Sequence, residues 1–341
     1  MPIATLVKDE GKWPDWLRQH EVSTSILQRF PGSARRYKAL LPFFPFAVGQ
    51  TLRAARGAKL VLSTDASVIK GLRVPKGAMH VCYCHSPPRY LWEMQDTYIK
   101  QSGDLGTIGR LVFKLVTPYV RRFDQKAAQR VDHFIANSEF VAQRIRRCYG
   151  RESTVIYPPV AVQDFRYQEQ KEDFYLVVSE LVPYKRIDIA IEAFNRSGKR
   201  LLVIGDGSER ARLESIAKDN IEFLGRQPFA SLVDHYARAR AFIFPGIEDF
   251  GITPLEAQAS GTPVIAYGEG GALETVVENE TGVFFRKQNA VSLLEAIETL
   301  EETESARSPA LCRINAERFS EERFREELDR FLKEKASGGL A

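Results

Sequence analysis

The residues best placed to do chemistry are a lysine, a histidine and two glutamates. Glu248 and Glu256, with seven residues between them, sit in AFIFPGIEDFGITPLEAQASGTPVIAYGEGGALETV, residues 241–276. Ala241 to Phe244 reads as a buried parallel strand that breaks at Pro245-Gly246, so Glu248 falls just past a strand's C-terminal end. Thr253-Pro254-Leu255-Glu256 reads as a helix start, with Thr253 as N-cap and Pro254 at the first helical position. The two carboxylates thus flank a helix N-terminus at the carboxyl edge of a sheet, where open α/β folds bind ligands and free N–H groups suit phosphate. A capping-box glutamate needs no ligand, which leaves Glu256 open between helix cap and ligand contact. Glu248-Asp249 ahead of Phe250-Gly251 has no such propensity reason.

Lys185 lies in the strand-to-helix loop Pro183-Tyr184-Lys185-Arg186, on the same edge. A lysine near a helix start is electrostatically poor as mere surface charge, but facing an anionic leaving group it makes sense. His85 follows the strand-like run Met79 to Cys84 and precedes Pro87-Pro88. Gly205-Asp206-Gly207, between a strand and a helix, could approach a nucleotide closely, although most such glycines simply make the turn.

Alternating short apolar runs and amphipathic segments must position these groups. Beyond Pro158-Pro159 they run Phe174 to Ser179, Ile187 to Arg196, Arg200 to Ile204, Glu209 to Lys218, Ile221 to Leu224 and Phe229 to Arg238, which argues for a doubly wound parallel sheet. Ahead of it, Ile3 to Val7, Lys59 to Ser63 (read as buried), Met79 to Cys84, Val131 to Ala136 and Thr154 to Tyr157 read as strands. Ala47 to Arg56, Gly109 to Arg130 (bent or divided at Pro118) and Glu139 to Tyr149 read as helices. The division expected is 1–158 and 159–319, with Ser320 to Lys335 a charged amphipathic helix.

No apolar run approaches the roughly 20 residues of a membrane span, and the N-terminus lacks a signal-peptide pattern, so a cytoplasmic or peripheral protein is expected. Four scattered cysteines fit a reducing compartment, and His80, Cys82, Cys84 and His85 read as strand residues rather than a metal cluster. Residues 1–165 carry 25 Lys/Arg against 13 Asp/Glu, a charge of +12, and the remainder carries 23 against 31, or −8. A basic first half suggests an anionic membrane surface, with solvated charge as the competing reading. No aromatic-basic module of the kind single strands need is visible, so nucleic acid is not expected.

Glu248-(seven residues)-Glu256, with Phe250-Gly251, Pro254, Ala257, Gly261, Pro263 to Ala266 and Gly270-Gly271 in register, resembles the donor-site signature of family 4 retaining glycosyltransferases of the GT-B fold. YCHSPPRYLW and IANSEFVAQRIRRCYGRESTVIYPPV resemble bacterial polysaccharide and O-antigen mannosyltransferases of that family. The resemblance implies two Rossmann-like domains facing across a cleft, with the terminal helix 320–335 crossing back to the first. It implies transfer of a hexose, mannose from GDP-mannose, to a lipid-linked glycan, with a UDP-sugar as the alternative donor. Glu248 would bind a donor-sugar hydroxyl and Glu256 the ribose. Phe250, Gly251, Gly270, Gly271, Gly205 and Gly207 would approach the donor, and His85 would contact the sugar near the reacting carbon.

No Asp-any-Asp triplet occurs, and the resemblance also implies metal-independent chemistry without a cofactor. Two departures from the family pattern stand out. Glu180 occupies the position of an arginine five residues before Lys185, leaving Arg186 as the possible second cation. No Gly-Gly pair occurs before residue 270, and Met1 to Pro31 resembles the segment after the family's first strand, glycine loop and helix. The first domain is therefore expected to be incomplete, with a vacant position in its sheet. The alternative reading that follows is a nucleotide-sugar binder with weak or absent turnover.

Overall fold

A computed structural model describes residues 2–9, 11, 17, 19–33, 37–50, 57–93, 106–303 and 308–338. The chain divides into two compact units, Met1–Val155 and Ile156–Ala341.

The second unit shows most directly why its sequence folds as it does. Its strands are β7 (Tyr175–Val178), β8 (Leu201–Ile204), β9 (Ile221–Gly225), β10 (Ala241–Phe244), β11 (Val264–Tyr267) and β12 (Gly282–Phe285). All pair in parallel, in the order β9-β8-β7-β10-β11-β12. Alternation of side chains sends Tyr175, Val177, Leu201, Val203, Ala241 and Ile243 to one face and Leu176, Leu202, Ile204, Phe242 and Phe244 to the other, each into its own core. Both faces are covered, so the strands are near-continuous hydrophobic runs. Winding reverses between β7 and β10, which are neighbours through Ala241–Tyr175 and Phe242–Leu176. The crevice outside their carboxyl ends is the topological switch point, where open α/β sheets bind ligands.

The helices of this unit are Ile187–Ser197, Arg210–Ile216, Phe229–Arg238, Ile252–Ala259, Ala272–Thr275, Ala290–Glu302, Pro309–Glu317 and Glu321–Gly338, numbered α5 to α12 below. The helix Ile252–Ala259 starts differently from the sequence reading. Gly251, in the left-handed region at φ 97°, is its N-cap, no side chain caps it, and Thr253 lies inside the first turn. The cause is Phe250, buried between Tyr157 (stacked, centroids 5.6 Å apart) and Phe319 (edge-on, 5.6 Å). Anchoring that ring turns the chain at Gly251 and starts the helix early. Glu256 is therefore no capping-box residue.

In the first unit, β1 (Ile3–Thr5) pairs in parallel with β2 (Val22–Thr24). A separate parallel sheet runs β3 (Leu60–Asp65), β4 (Met79–Cys84), β5 (His133–Ala136), β6 (Ser153–Val155). Among the described residues the outer edge of β3 carries no strand. The helices are α1 (Phe44–Gln50), α2 (Arg89–Trp92), α3 (Gly106–Ala128) and α4 (Glu139–Tyr149). The expected helix over Ala47 to Arg56 starts earlier than read, and 51–56 lie outside the described residues. α3 continues through Pro118 without dividing.

β3 reverses the expectation of a buried apolar strand. Leu60 and Leu62 are 40% and 44% exposed, whereas Ser63 and Asp65 are buried. The polar side faces inward because it has partners there. Ser63 Oγ lies 2.8 Å from Nε2 of the buried His80, whose ring burial pushes its pKa down to about 4. Asp65 Oδ2 accepts from Lys70 Nζ at 2.8 Å.

Lys70 and Asp124 are fully buried; the ammonium donates to Asp65 and to the Ser67 carbonyl at 2.9 Å, and it is ion-paired with Asp124 Oδ1 at 2.5 Å. Asp124 Oδ2 accepts from Trp92 Nε1 at 2.9 Å and from the Tyr149 hydroxyl at 2.8 Å. Burial alone would strip the lysine's proton, but the two carboxylates more than offset it and hold its pKa well above the ordinary range. Removing one partner of such a network leaves buried charge uncompensated, at a cost of about 3–5 kcal/mol. Lys70→Met is expected to lower the stability of the first unit by that amount. All three tryptophans, Trp13, Trp16 and Trp92, lie in this unit, so a denaturant melt followed by tryptophan emission reads it alone; an unchanged midpoint would show that the network contributes nothing net.

Candidate functional site

The loops leaving β7 and β10 bring Lys185 and Glu248 together at the switch point. Lys185 ends the 3-10 turn Pro183–Lys185, and its Nζ lies 2.6 Å from Glu248 Oε1. Both side chains keep some exposure, 21% and 16%. A pair that still reaches solvent in this way lets each partner exchange the other for a ligand. A cation and a carboxylate standing together at the carboxyl ends of two central strands can hold an anion and a hydroxyl respectively.

Arg186 is held elsewhere. It adopts the left-handed conformation at φ 55°, uncommon outside glycine, at the N-cap of α5. Its guanidinium donates to both oxygens of Asp188, at 3.1 and 3.2 Å, and to Gln288 Oε1 at 3.1 Å. Gln288 Nε2 in turn donates to the Pro245 carbonyl at 3.0 Å, tying this corner to the β10 loop. Glu180 is exposed.

The glycines of the rim pack against protein backbone. A Cβ on Gly205 (φ 137°) would stand 1.8 Å from the Ser179 carbonyl oxygen, and one on Gly207 2.3 Å from that of Leu181. On Gly246 it would meet the Lys185 carbonyl oxygen at 2.9 Å, on Gly270 (φ 71°) that of Glu248 at 2.6 Å, and on Gly271 the Phe250 Cα at 2.3 Å. The Gly271 amide also donates to the Glu248 carbonyl at 2.9 Å. The loops after β7, β8, β10 and β11 thus interlock main chain to main chain, and the glycines that sequence reading turned toward a nucleotide first of all let these loops touch.

Glu256, on α8 (Ile252–Ala259), is half-buried and accepts a hydrogen bond from the Tyr236 hydroxyl at 2.9 Å. Burial raises its pKa, and the tyrosine bond works against that rise. Sequence reading passed over Tyr236. The available signal was a tyrosine on the apolar stripe of α7 (Phe229–Arg238), because a buried phenol needs a polar partner.

In the first unit, His85 stands exposed just past β4. Its amide donates to the Asp65 carbonyl at 2.8 Å, and its Nε2 lies 2.7 Å from Thr64 Oγ1. The Lys70 network therefore underlies its backbone. Behind it Ser86, Pro87 and Pro88 are buried, and Arg144 Nη1 donates to Ser86 Oγ at 2.8 Å.

Comparison with known proteins follows the same division. Residues 162–319 match the family described as "Glycosyl transferases group 1", and residues 12–164 match "Glycosyltransferase Family 4". The O-antigen chain mannosyltransferase RfbU of Salmonella typhimurium is 31% identical over 159 residues, 43% of this chain and 45% of that protein. A GDP-mannose-dependent monoacylated α-(1-6)-phosphatidylinositol monomannoside mannosyltransferase of Corynebacterium glutamicum is 31% identical over 202 residues, 50% of this chain and 53% of that protein. The chain spans about half the length of the curated relatives it matches. Sucrose-phosphate synthase from Thermosynechococcus elongatus shares the fold at a TM-score of 0.72 and 21% identity, over 99% of this chain and 89% of that one.

The interlocked rim predicts the effect of one methyl group. Gly271→Ala, at a backbone angle alanine tolerates, must push the Glu248–Phe250 loop away, at about 1–3 kcal/mol of overpacking. It should melt lower in a thermal scan and unfold at a lower denaturant concentration. Gly268→Ala, whose Cβ would find its nearest neighbour at an ordinary 3.4 Å, should do neither.

Proposed function

The chain belongs to the family 4 glycosyltransferases, with the GT-B fold, and from that premise we propose that it is a retaining hexosyltransferase moving mannose from GDP-mannose to a lipid-linked glycan. The observation that carries this reading is the meeting of Lys185 and Glu248 at the switch point of the second unit's sheet. In the free protein the two side chains answer each other. With donor bound, the diphosphate takes the lysine and a sugar hydroxyl takes the glutamate. Glu256 contacts the ribose.

The acceptor hydroxyl oxygen attacks the anomeric carbon on the face from which the diphosphate leaves. The carbon–oxygen bond to phosphate breaks, the hydroxyl proton passes to the departing phosphate oxygen, and Lys185 stabilises the charge that develops there. No carboxylate of this chain is assigned as a covalent nucleophile. The mannosyl donor is supported by the names of the Salmonella and Corynebacterium relatives.

A second reading, a nucleotide-sugar binder with weak or absent turnover, draws on two observations among the described residues. The first unit's strands fall into two separate sheets, and β3 leaves apolar side chains exposed. Isothermal titration with GDP, UDP and ADP, followed by a transfer assay with GDP-mannose, separates the readings. GDP is expected to bind tightest; a preference for UDP moves the donor to a UDP-sugar. Binding of GDP without mannosyl transfer selects the second reading.

The acceptor's lipid suggests where the protein works. We propose peripheral attachment to an anionic membrane, on its cytoplasmic face, through the outer face of α3. Leu111, Leu115 and Tyr119 are 59%, 71% and 57% exposed at four-residue spacing, with the exposed Lys114 beside the stripe and the exposed Arg122 and Lys126 continuing it toward the C-terminal end. An apolar stripe beside basic residues suits an interfacial helix, each cation contributing about 1 kcal/mol near an anionic surface. No helix of the described residues is long and apolar enough to cross a membrane. Flotation with phosphatidylglycerol vesicles should recover the protein in a salt-sensitive manner; equal recovery with neutral vesicles would refute the electrostatic part.

A further inference from the structure

Tyr236 is fully buried, at 0% exposure, yet its one polar atom is spent on a carboxylate of the candidate site. Its ring is fixed edge-on against Phe165, with centroids 5.9 Å apart, and tilted against Phe242 at 5.7 Å. Burial and the neighbouring glutamate push the phenol's pKa well up, so the hydroxyl remains a donor throughout the working range. The donation goes to Glu256 Oε2 at 2.9 Å.

Glu256 differs from Glu248 in a telling way. Glu248 has a lysine. Glu256 has no ion pair among the described residues, and Tyr236 is the one side chain there that donates to its carboxylate. An ionised carboxylate can accept about four hydrogen bonds, and among the described side chains Tyr236 supplies one, while burial penalises the charge. Glu256 as a whole keeps partial exposure beside that bond. A neutral ligand hydroxyl pair fits such a group, since it supplies donors without bringing a countercharge.

We infer that Tyr236 is a positioning residue that reads out the nucleotide's ribose through Glu256: it fixes one carboxylate oxygen from the core side and thereby aims the remaining acceptors at the ribose diol. This rests on the assignment of Glu256 to the ribose made above. Tyr236 touches no ligand itself. Its hydroxyl sets the carboxylate's rotamer before the ligand arrives, so the ordering cost is met in the free protein.

The test is isothermal titration of GDP and 2′,3′-dideoxy-GDP into the wild-type chain, Tyr236→Phe, Glu256→Gln and the double variant. A hydrogen bond to a charged group corresponds to roughly tenfold or more in affinity. The wild type should favour GDP over the dideoxy analogue by at least that factor. Y236F should lose about tenfold toward GDP while binding the analogue like the wild type, and adding Y236F to E256Q should cost no further affinity. Equal losses on both nucleotides, or an undiminished preference for GDP in Y236F, would overturn the inference. If the wild type binds both nucleotides equally, the ribose assignment of Glu256 falls and the inference with it, while the nucleotide binding seen in the same titration leaves the proposed enzyme class standing. Should Y236F fail to fold, Tyr236→Met, which fills similar volume without a donor, provides the same readout.

Discussion

Close approach of main chain to main chain is the constraint on which the second unit's candidate site depends. Four loops leave the carboxyl edge of the sheet, and each rests on a neighbour where a single added carbon would collide: Gly205 on Ser179, Gly207 on Leu181, Gly246 on Lys185, Gly271 on Phe250. Lys185 and Glu248 meet because their loops are held in this way. Within the loops, Leu181 and Pro245 are buried while Lys185 and Glu248 themselves keep partial exposure. Phe250 supplies the remaining anchor by burying an aromatic ring two residues beyond Glu248.

The first unit solves the same problem by other means. Its strands also end at a functional candidate, but the support under His85 is electrostatic. Asp65 closes β3, receives Lys70, and offers its carbonyl to the His85 amide. A buried network of one lysine and two carboxylates is costly to assemble and strict about geometry. Its strictness is what a loop with a single exposed histidine needs.

How much of this could be read from the sequence depends on whether a residue's neighbours are near in the chain. The alternation of apolar runs and helices in the second unit is local, and the expected order of elements matches from Tyr175 to Tyr267. Lys185 and Glu248 could each be placed at a strand end by the same logic, and their pairing follows from β7 lying beside β10. Two readings failed where distant contacts decide, and one residue was passed over. Thr253 has the spacing of a cap, but the burial of Phe250 against Tyr157 and Phe319 moves the helix start to Gly251. Leu60 and Leu62 look like core residues until His80 and Lys70 draw Ser63 and Asp65 inward instead. Tyr236 offered only the general signal of a phenol on an apolar stripe; its partner, 20 residues away on another helix, could not be named from it.

The outer edge of β3 bears on how the protein must be handled. Leu60 and Leu62 are exposed beside backbone groups that no strand covers among the described residues, and such an edge is a template for any extended chain that meets it. Loss by that route needs two molecules and scales with the square of concentration, whereas thermal unfolding needs one. The useful lifetime of a preparation is therefore set by dilution as much as by temperature. Strong overexpression, which puts many newly made copies close together, shortens it in a way that no melting curve reveals.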